Sequence, residues 1–169
     1  AVISQHLYFL VNGGAFGLAV AMDSNRLIVG SSGAPESGSN SDRVWLFRRD
    51  GNIWSEEAIL VGNNTSNGDN FGGSAAIQGD MIAVGAYKEQ SSTSGTNPGS
   101  NNSASTSGAV YVFERGPTSW SQRVFLKASN SAADAWFGVR VALSSKDLAV
   151  GSSAQDAIAA NSGAVYVFR

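Results

Sequence analysis

The side chains that most often carry enzymatic chemistry are sparse in this sequence of 169 residues. His6 is the only histidine, and no carboxylate or nucleophile lies near it in the sequence to make it a catalytic acid or base. Glu56 and Glu57 are adjacent, but neighbouring residues of a strand point to opposite faces. The absence of cysteine excludes disulfides, thiolate zinc sites and cysteine nucleophiles. The sequence therefore predicts a protein that is not an enzyme and that has no cofactor and no metal site.

Charge and hydropathy patterns exclude two further classes of partner. A net charge of −2 leaves no surplus of Lys and Arg to neutralise phosphates, so we expect no nucleic-acid binding. The longest apolar runs, such as residues 109–113, are far shorter than the roughly 20 residues of a membrane-spanning helix. Gly13, Gly14 and Gly17 precede neither a helical pattern nor a lysine, so they do not form a phosphate-binding loop. We expect neither nucleic-acid binding nor membrane insertion.

A repeat of about 55 residues organises the chain. A Phe-Gly pair recurs three times, and the glycine of a Val-Gly pair follows each Phe by 14 residues. A run of the type Gly-Ala-Val-Tyr-Val-Phe follows, and the first two copies continue with a run that begins Trp-Ser. The repeated positions are Phe16, Gly17, Gly30, Phe71, Gly72, Gly85, Phe137, Gly138 and Gly151.

Each repeated run is short, rich in Val, Ile, Leu and aromatics, and bounded by Gly, Ser, Asn and Asp, which is typical of a β-strand between turns. Four such runs per repeat predict a four-stranded antiparallel sheet, and stacked sheets of this size are typical of a β-propeller. We therefore predict an all-β propeller unit over residues 1–169. Blade 1 covers residues 16–60, blade 2 covers 71–126 with an insertion at 90–107, and 137–168 form the first three strands of blade 3.

The two chain ends suggest how the third blade is completed. Residues 1–10 resemble a fourth strand, whereas the chain stops after the third strand of blade 3. Three interpretations remain open. Two chains could form a six-bladed ring by exchanging this strand, the same contact could produce an open filament, or the 169 residues could be a fragment of a larger propeller.

The long loops of this propeller would all lie on one face, which suggests a binding surface. Trp136 is notable because Asn70 takes the equivalent position in the second repeat, and an exposed Trp is suited to stacking on a ligand. The insertion is of low complexity, and we expect it to be mobile unless a sugar or a neighbouring chain orders it. Asn63, Asn64 and Asn101 match the N-glycosylation pattern. The predicted ligand-binding face comprises Asn63, Asp69, Tyr87, Lys88, Asp134 and Trp136.

The repeated Phe-Gly, Val-Gly and Gly-Ala-Val-Tyr-Val-Phe runs resemble the FG-GAP repeat of integrin α-subunit propellers. This resemblance implies a non-enzymatic recognition or adhesion module, extracellular or at the cell surface, with protein or glycan partners or further copies of itself. Integrin-like repeats often carry a calcium loop of the type Asp-x-Asp-x-Asp-Gly. The corresponding turns here hold a single acidic residue each, namely Asp23, Asp80 or Asp147, so calcium binding is not carried over.

Overall fold

The computed structural model describes residues 5–7, 15–31 and 42–169, and these residues form twelve β-strands. No helix in these ranges could cross a membrane. The strands are β1 (Ala19–Asp23), β2 (Arg26–Ser31), β3 (Arg43–Asp50), β4 (Ile53–Leu60), β5 (Phe71–Gln78), β6 (Met81–Ala86), β7 (Gly95–Thr96), β8 (Ala109–Arg115), β9 (Trp120–Lys127), β10 (Phe137–Leu143), β11 (Leu148–Ser152) and β12 (Ala164–Phe168).

The strands form three antiparallel sheets, one for each sequence repeat. Sheet 1 has the order β1-β2-β3-β4, sheet 2 the order β5-β6-β8-β9-β7, and sheet 3 the order β10-β11-β12. Tight turns join β1 to β2, β3 to β4 and β5 to β6, and each contains a residue with positive φ: Ser24 at 55°, Gly51 at 57° and Gly79 at 58°. The second and third strands of each sheet pair across longer connections. The predicted all-β architecture of antiparallel sheets is confirmed.

The sheets share their irregularities as well as their strand order. The register between the third and fourth strands shifts at Leu46/Phe47 in sheet 1 and at Val112/Phe113 in sheet 2. A second shift follows the first residue of β5 and of β10, between Phe71 and Ser74 and between Phe137 and Arg140. Bulges at matching positions mean that the repeat in sequence is also a repeat of backbone geometry.

Two of the three hydrophobic clusters of the described residues lie between the sheets. Ile28, Val44 and Leu46 of sheet 1 pack against sheet 2, where the rings of Phe71 and Tyr111 meet edge to face with centroids 5.2 Å apart. Between sheets 2 and 3, Phe137 takes the place of Phe71. Its centroid lies 5.2 Å from that of Tyr166, also edge to face. The third strand of sheet 2, β8, is apolar on both faces because this middle sheet is covered on both sides.

The insertion at 90–107 is attached to sheet 2, which differs from the expected mobility. Its short strand β7 pairs with β9, and Asn97 donates its amide to the Phe125 carbonyl at 2.7 Å while its side chain accepts from the Phe125 amide at 2.8 Å. Ser91 and Ala104 are buried. Composition does not reveal this order because it comes from backbone pairing and not from apolar side chains.

The predicted N-terminal strand is described only at residues 5–7, and its residues 1–4 and 8–10 lie outside the described part. Gln5 accepts from the Trp54 amide at 2.8 Å and donates to the Trp54 carbonyl at 3.1 Å. Leu7 packs against Val29, Trp45 and Phe47. These residues therefore lie against sheet 1, and completion of sheet 3 by this segment stays a prediction.

Candidate functional site

Loops from neighbouring sheets interleave at one end of the molecule. Lys88, which follows β6, donates its amide to the carbonyl of Asp69 at 3.1 Å. Trp136, which precedes β10, donates its amide to the carbonyl of Thr106 at 3.1 Å. The loops that follow the second and fourth strands thus support each other through the backbone, which holds their side chains in place.

A groove of about 450 Å³ opens between these loops, and we call it the loop groove. All three sheets contribute to it, because its wall includes Leu18 before β1, Gly73 in β5 and Arg140 in β10. Its lining residues are Leu18, Asn70, Gly73, Tyr87, Lys88, Thr106, Trp136, Val139 and Arg140.

Two aromatic rings in contact with each other line the loop groove. Tyr87 and Trp136 meet edge to face with their ring centroids 6.0 Å apart. The Lys88 ammonium lies 5.6 Å from the centroid of the Tyr87 ring, within the range of a cation–π interaction. Trp136 remains 41% exposed although it contacts Tyr87. An exposed indole packed against a second ring is suited to contact with a sugar ring or an apolar side chain.

The backbone at Trp136 is in the left-handed region, with φ at 59°. Asn70 takes the same conformation at the equivalent position, with φ at 62°. Both carbonyls accept from the amide three residues later, Gly73 at 2.9 Å and Val139 at 3.1 Å. This turn therefore needs a left-handed residue, for which Asn is well suited and a bulky side chain costs roughly 1–2 kcal/mol. The turn does not require the indole, so its presence there needs another reason.

The structure brings together three of the six residues of the predicted binding face. Tyr87, Lys88 and Trp136 line the loop groove. Asp134 lies at its edge, where its carboxylate accepts from the Thr106 hydroxyl at 2.5 Å. Asn63 lies elsewhere: its amide donates to the side chain of Gln122 at 2.8 Å.

Asp69, the sixth residue, is buried beneath the loops. It is 4% exposed, and its carboxylate accepts from the Ser66 amide at 2.7 Å. Burial raises the pKa of Asp69 to about 6, and the negative charges of Glu89 and Asp42 act in the same direction. The carboxylate thus holds its own loop together and is not presented at the groove.

A buried ion pair underlies the same loops. Lys127, which ends β9, is completely buried and donates to Glu89 at 2.6 Å, to the Ser107 hydroxyl at 2.8 Å and to the Gly108 carbonyl at 2.5 Å. Glu89 also accepts from the hydroxyl of Ser91. Burial lowers the pKa of Lys127, and the pairing with Glu89 opposes that decrease. The pair ties the insertion to sheet 2 and is closed to solvent, which makes it structural.

Arg140 is a groove residue that reasoning from the sequence missed. Its guanidinium donates to the Val139 carbonyl at 2.7 Å, and its side chain is exposed at the groove. A signal for it exists in the repeat, because Ala19 and Ser74 take the equivalent positions. Trp136 was recognised by the same kind of departure from the repeat.

The predicted glycosylation sites differ in accessibility. Asn63 and Asn101 are exposed, and the Asn101 side chain accepts from the Ser92 and Ser103 amides, each at 3.0 Å. The side-chain nitrogen of Asn64 is buried. Use of any of these sites stays a prediction. Within residues 5–7, 15–31 and 42–169, no three His, Asp or Glu side chains are placed to hold a metal ion.

Comparison with known families identifies the repeat. The model of the FG-GAP repeat matches residues 54–113 and 120–168, which together make up more than half of the chain. Each match begins in the fourth strand of one sheet and ends in the third strand of the next. No curated protein matches the chain.

Proposed function

The chain belongs to the FG-GAP repeat family, and on that premise we propose that it is a non-enzymatic recognition module. Its three sheets are blades of a β-propeller, and the loop groove is its ligand-binding site. The partner is a protein or a glycan outside the cell or at its surface. The module works by holding a few side chains rigidly on the face where the long loops gather.

Trp136 is the observation that carries this proposal. Its position in the turn is filled by Asn70 in the preceding repeat, and a bulky residue there costs conformational energy without benefit to the turn. The indole nevertheless remains 41% exposed beside Tyr87. Exposed Trp and Tyr side chains held by neighbours are enriched among the residues that dominate binding energies. Ligand stacking accounts for both the cost and the exposure.

The positively charged side chains that line the loop groove favour a ligand that carries hydrogen-bond acceptors as well as an apolar face. Lys88 and Arg140 both line it, while the carboxylate of Asp134 lies at the edge and is engaged with Thr106. A ligand with an apolar face and acceptor oxygens would be complementary to such a wall. Hydroxyl and carboxylate groups of glycans and of protein side chains both meet this description.

The test compares Trp136→Asn, which restores the residue used in the second repeat, with a matched control. Ile53→Asn is that control, because Ile53 is 69% exposed and begins β4, away from the groove. Binding is measured on an array of glycans and on an array of immobilised extracellular proteins. We expect Trp136→Asn to weaken the strongest binding at least about tenfold, and Ile53→Asn to leave it unchanged. Unchanged binding by Trp136→Asn would show that the loop groove is not the binding site.

A further inference from the structure

The contacts between neighbouring sheets follow one pattern, built on paired glycines. A β-carbon at Gly30 of sheet 1 would lie 2.1 Å from the carbonyl oxygen of Gly72 in sheet 2. A β-carbon at Gly85 of sheet 2 would lie 2.0 Å from the carbonyl oxygen of Gly138 in sheet 3. Distances this short leave no room for any side chain. In both contacts, the glycine in the second strand of one sheet packs directly against the carbonyl of the glycine in the Phe-Gly pair of the following sheet.

Two apolar residues of the third strand accompany each glycine contact. Val44 and Leu46 of sheet 1 are buried against sheet 2. Val110 and Val112 of sheet 2 are buried against sheet 3 in the same way. One glycine and one pair of branched side chains thus form the packing face that each sheet offers to its successor.

Sheet 3 presents this face without a successor in the described part of the chain. Val165 and Val167, which correspond to the pairs just described, are 73% and 63% exposed. The nearest atom to a β-carbon at Gly151 would be the β-carbon of Arg140 in the same sheet, at 3.6 Å. We call Gly151, Val165 and Val167 the open face of sheet 3.

Sheet 1 presents the complementary half. Gly17 corresponds to Gly72 and Gly138, yet a β-carbon there would have no atom of the described residues within 4 Å. Val20 and Met22 of β1 are exposed, at 64% and 65%. We call Gly17, Val20 and Met22 the open face of sheet 1. One chain therefore carries two complementary open faces, and they correspond to the two surfaces that meet between sheets 1 and 2 and between sheets 2 and 3.

The N-terminal residues already lie where a preceding sheet would place its fourth strand. Gln5 and Leu7 contact sheet 1 at Trp54 and at the aromatic cluster around Trp45. The fourth strands of sheets 1 and 2 contact each other in a similar way, because Glu57 of β4 accepts a hydrogen bond from the Trp120 indole of β9 at 3.1 Å. Residues 5–7 thus cover the outer part of sheet 1 and leave its inner strand open.

We propose that two copies of this chain associate, with the open face of sheet 3 of one copy packed on the open face of sheet 1 of the other. In this contact the Gly17 carbonyl of one copy packs directly against Gly151 of the other. A twofold axis makes the contact twice, so that two chains close into a ring of six sheets. Six lies within the four to eight blades typical of propellers. Residues 5–7 of each copy then lie beside β12 of the other. A second copy is the occupant because each copy carries both complementary faces, with the geometry already present between the sheets.

Gly151→Ala tests this contact with a minimal change. Gly151 does not have positive φ, and the space around it within the chain accepts a methyl group, so the variant should fold. In the ring, that methyl group would meet a carbonyl at the distances found at Gly30 and Gly85. Gly99→Ala is the matched control, because a β-carbon there meets nothing within 4 Å and Gly99 lies in the insertion. Val165→Lys is a second variant on the same face as Gly151.

Sedimentation velocity and native mass spectrometry of the 169-residue chain provide the readout, with circular dichroism as the check on folding. We expect the wild type and Gly99→Ala at twice the chain mass of 17.5 kDa. Gly151→Ala and Val165→Lys should remain folded with the dimer weakened at least about tenfold. A monomeric wild type, or a dimer that survives both substitutions, would overturn the proposal. A ladder of larger masses would overturn the closed ring. Trp136→Asn should stay dimeric, which separates this result from failure of the binding site.

Discussion

Replacing Asp69 with asparagine should remove part of the pH dependence of folding stability. The Asp69 carboxyl is 4% exposed and lies near Glu89 and Asp42, and burial raises its pKa to about 6 from an ordinary value of 3.8. The amide group introduced by the substitution would still offer an oxygen to the Ser66 amide, which now donates to Asp69 at 2.7 Å. Asp69→Asn therefore removes the charge while it can keep the loop's hydrogen bond.

The direction in which folding stability changes with pH follows from the raised pKa of Asp69. Because the folded protein holds this proton more tightly than the unfolded chain, the stabilisation is complete below pH 3.8 and is lost as the pH rises through 6. A shift of about two pKa units corresponds to about 3 kcal/mol over the whole range. Half of that, about 1.4 kcal/mol, should be lost between pH 5 and pH 8.

Urea unfolding followed by tryptophan fluorescence at pH 5 and pH 8 measures this loss. Between these two values, wild-type stability should fall by about 1.4 kcal/mol more than that of Asp69→Asn. Asp50→Asn is the control, because Asp50 is exposed at the end of β3, and it should behave like the wild type. If the free energy of unfolding depended on pH equally in the wild type and in Asp69→Asn, the claim that burial raises the pKa of Asp69 would be refuted.

Two further substitutions test the packing. Gly85→Ala places a β-carbon 2.0 Å from the Gly138 carbonyl oxygen and should lower the free energy of unfolding by roughly 3 kcal/mol or prevent folding, while Gly99→Ala leaves the thermal midpoint unchanged. Lys127→Met removes the partner of Glu89 and should cost roughly 3–5 kcal/mol in urea unfolding. Adding Glu89→Gln should restore part of that loss, and no recovery would contradict a destabilisation caused by the unpaired buried charge.

The repeat predicted much of the fold because its period is carried by residues with strict steric roles. Phe71 and Phe137 are both completely buried between sheets, as their equivalent positions require. Short runs rich in Val, Ile, Leu and aromatics, with turn residues between them, were enough to place the repeated strands. The position of β8 in a sheet covered on both faces also followed from its apolar character, whereas β12 has the same pattern with Val165 and Val167 exposed.

The candidate site was predicted only in part, and each difference has a physical cause. Trp136 and Arg140 are both departures from the repeat, but an exposed aromatic attracts attention more readily than one arginine among several. Asp69 is in a polar loop, where exposure is the ordinary expectation, yet the loop folds back and buries it. The insertion lacks apolar residues, so its attachment through β7 and Lys127 could not be read from composition.

The linear order of residues is sufficient to establish three repeats of short strands, an all-β architecture and membership of the FG-GAP family, because these depend on spacing and on local turn preferences. Which residues meet at the loop groove, and which glycines touch a neighbouring carbonyl, depends on how sheets stack. Those contacts join residues from different repeats, such as Tyr87 with Trp136 and Gly30 with Gly72. Their distances are set by the packing of whole sheets, so they emerge only in the folded chain.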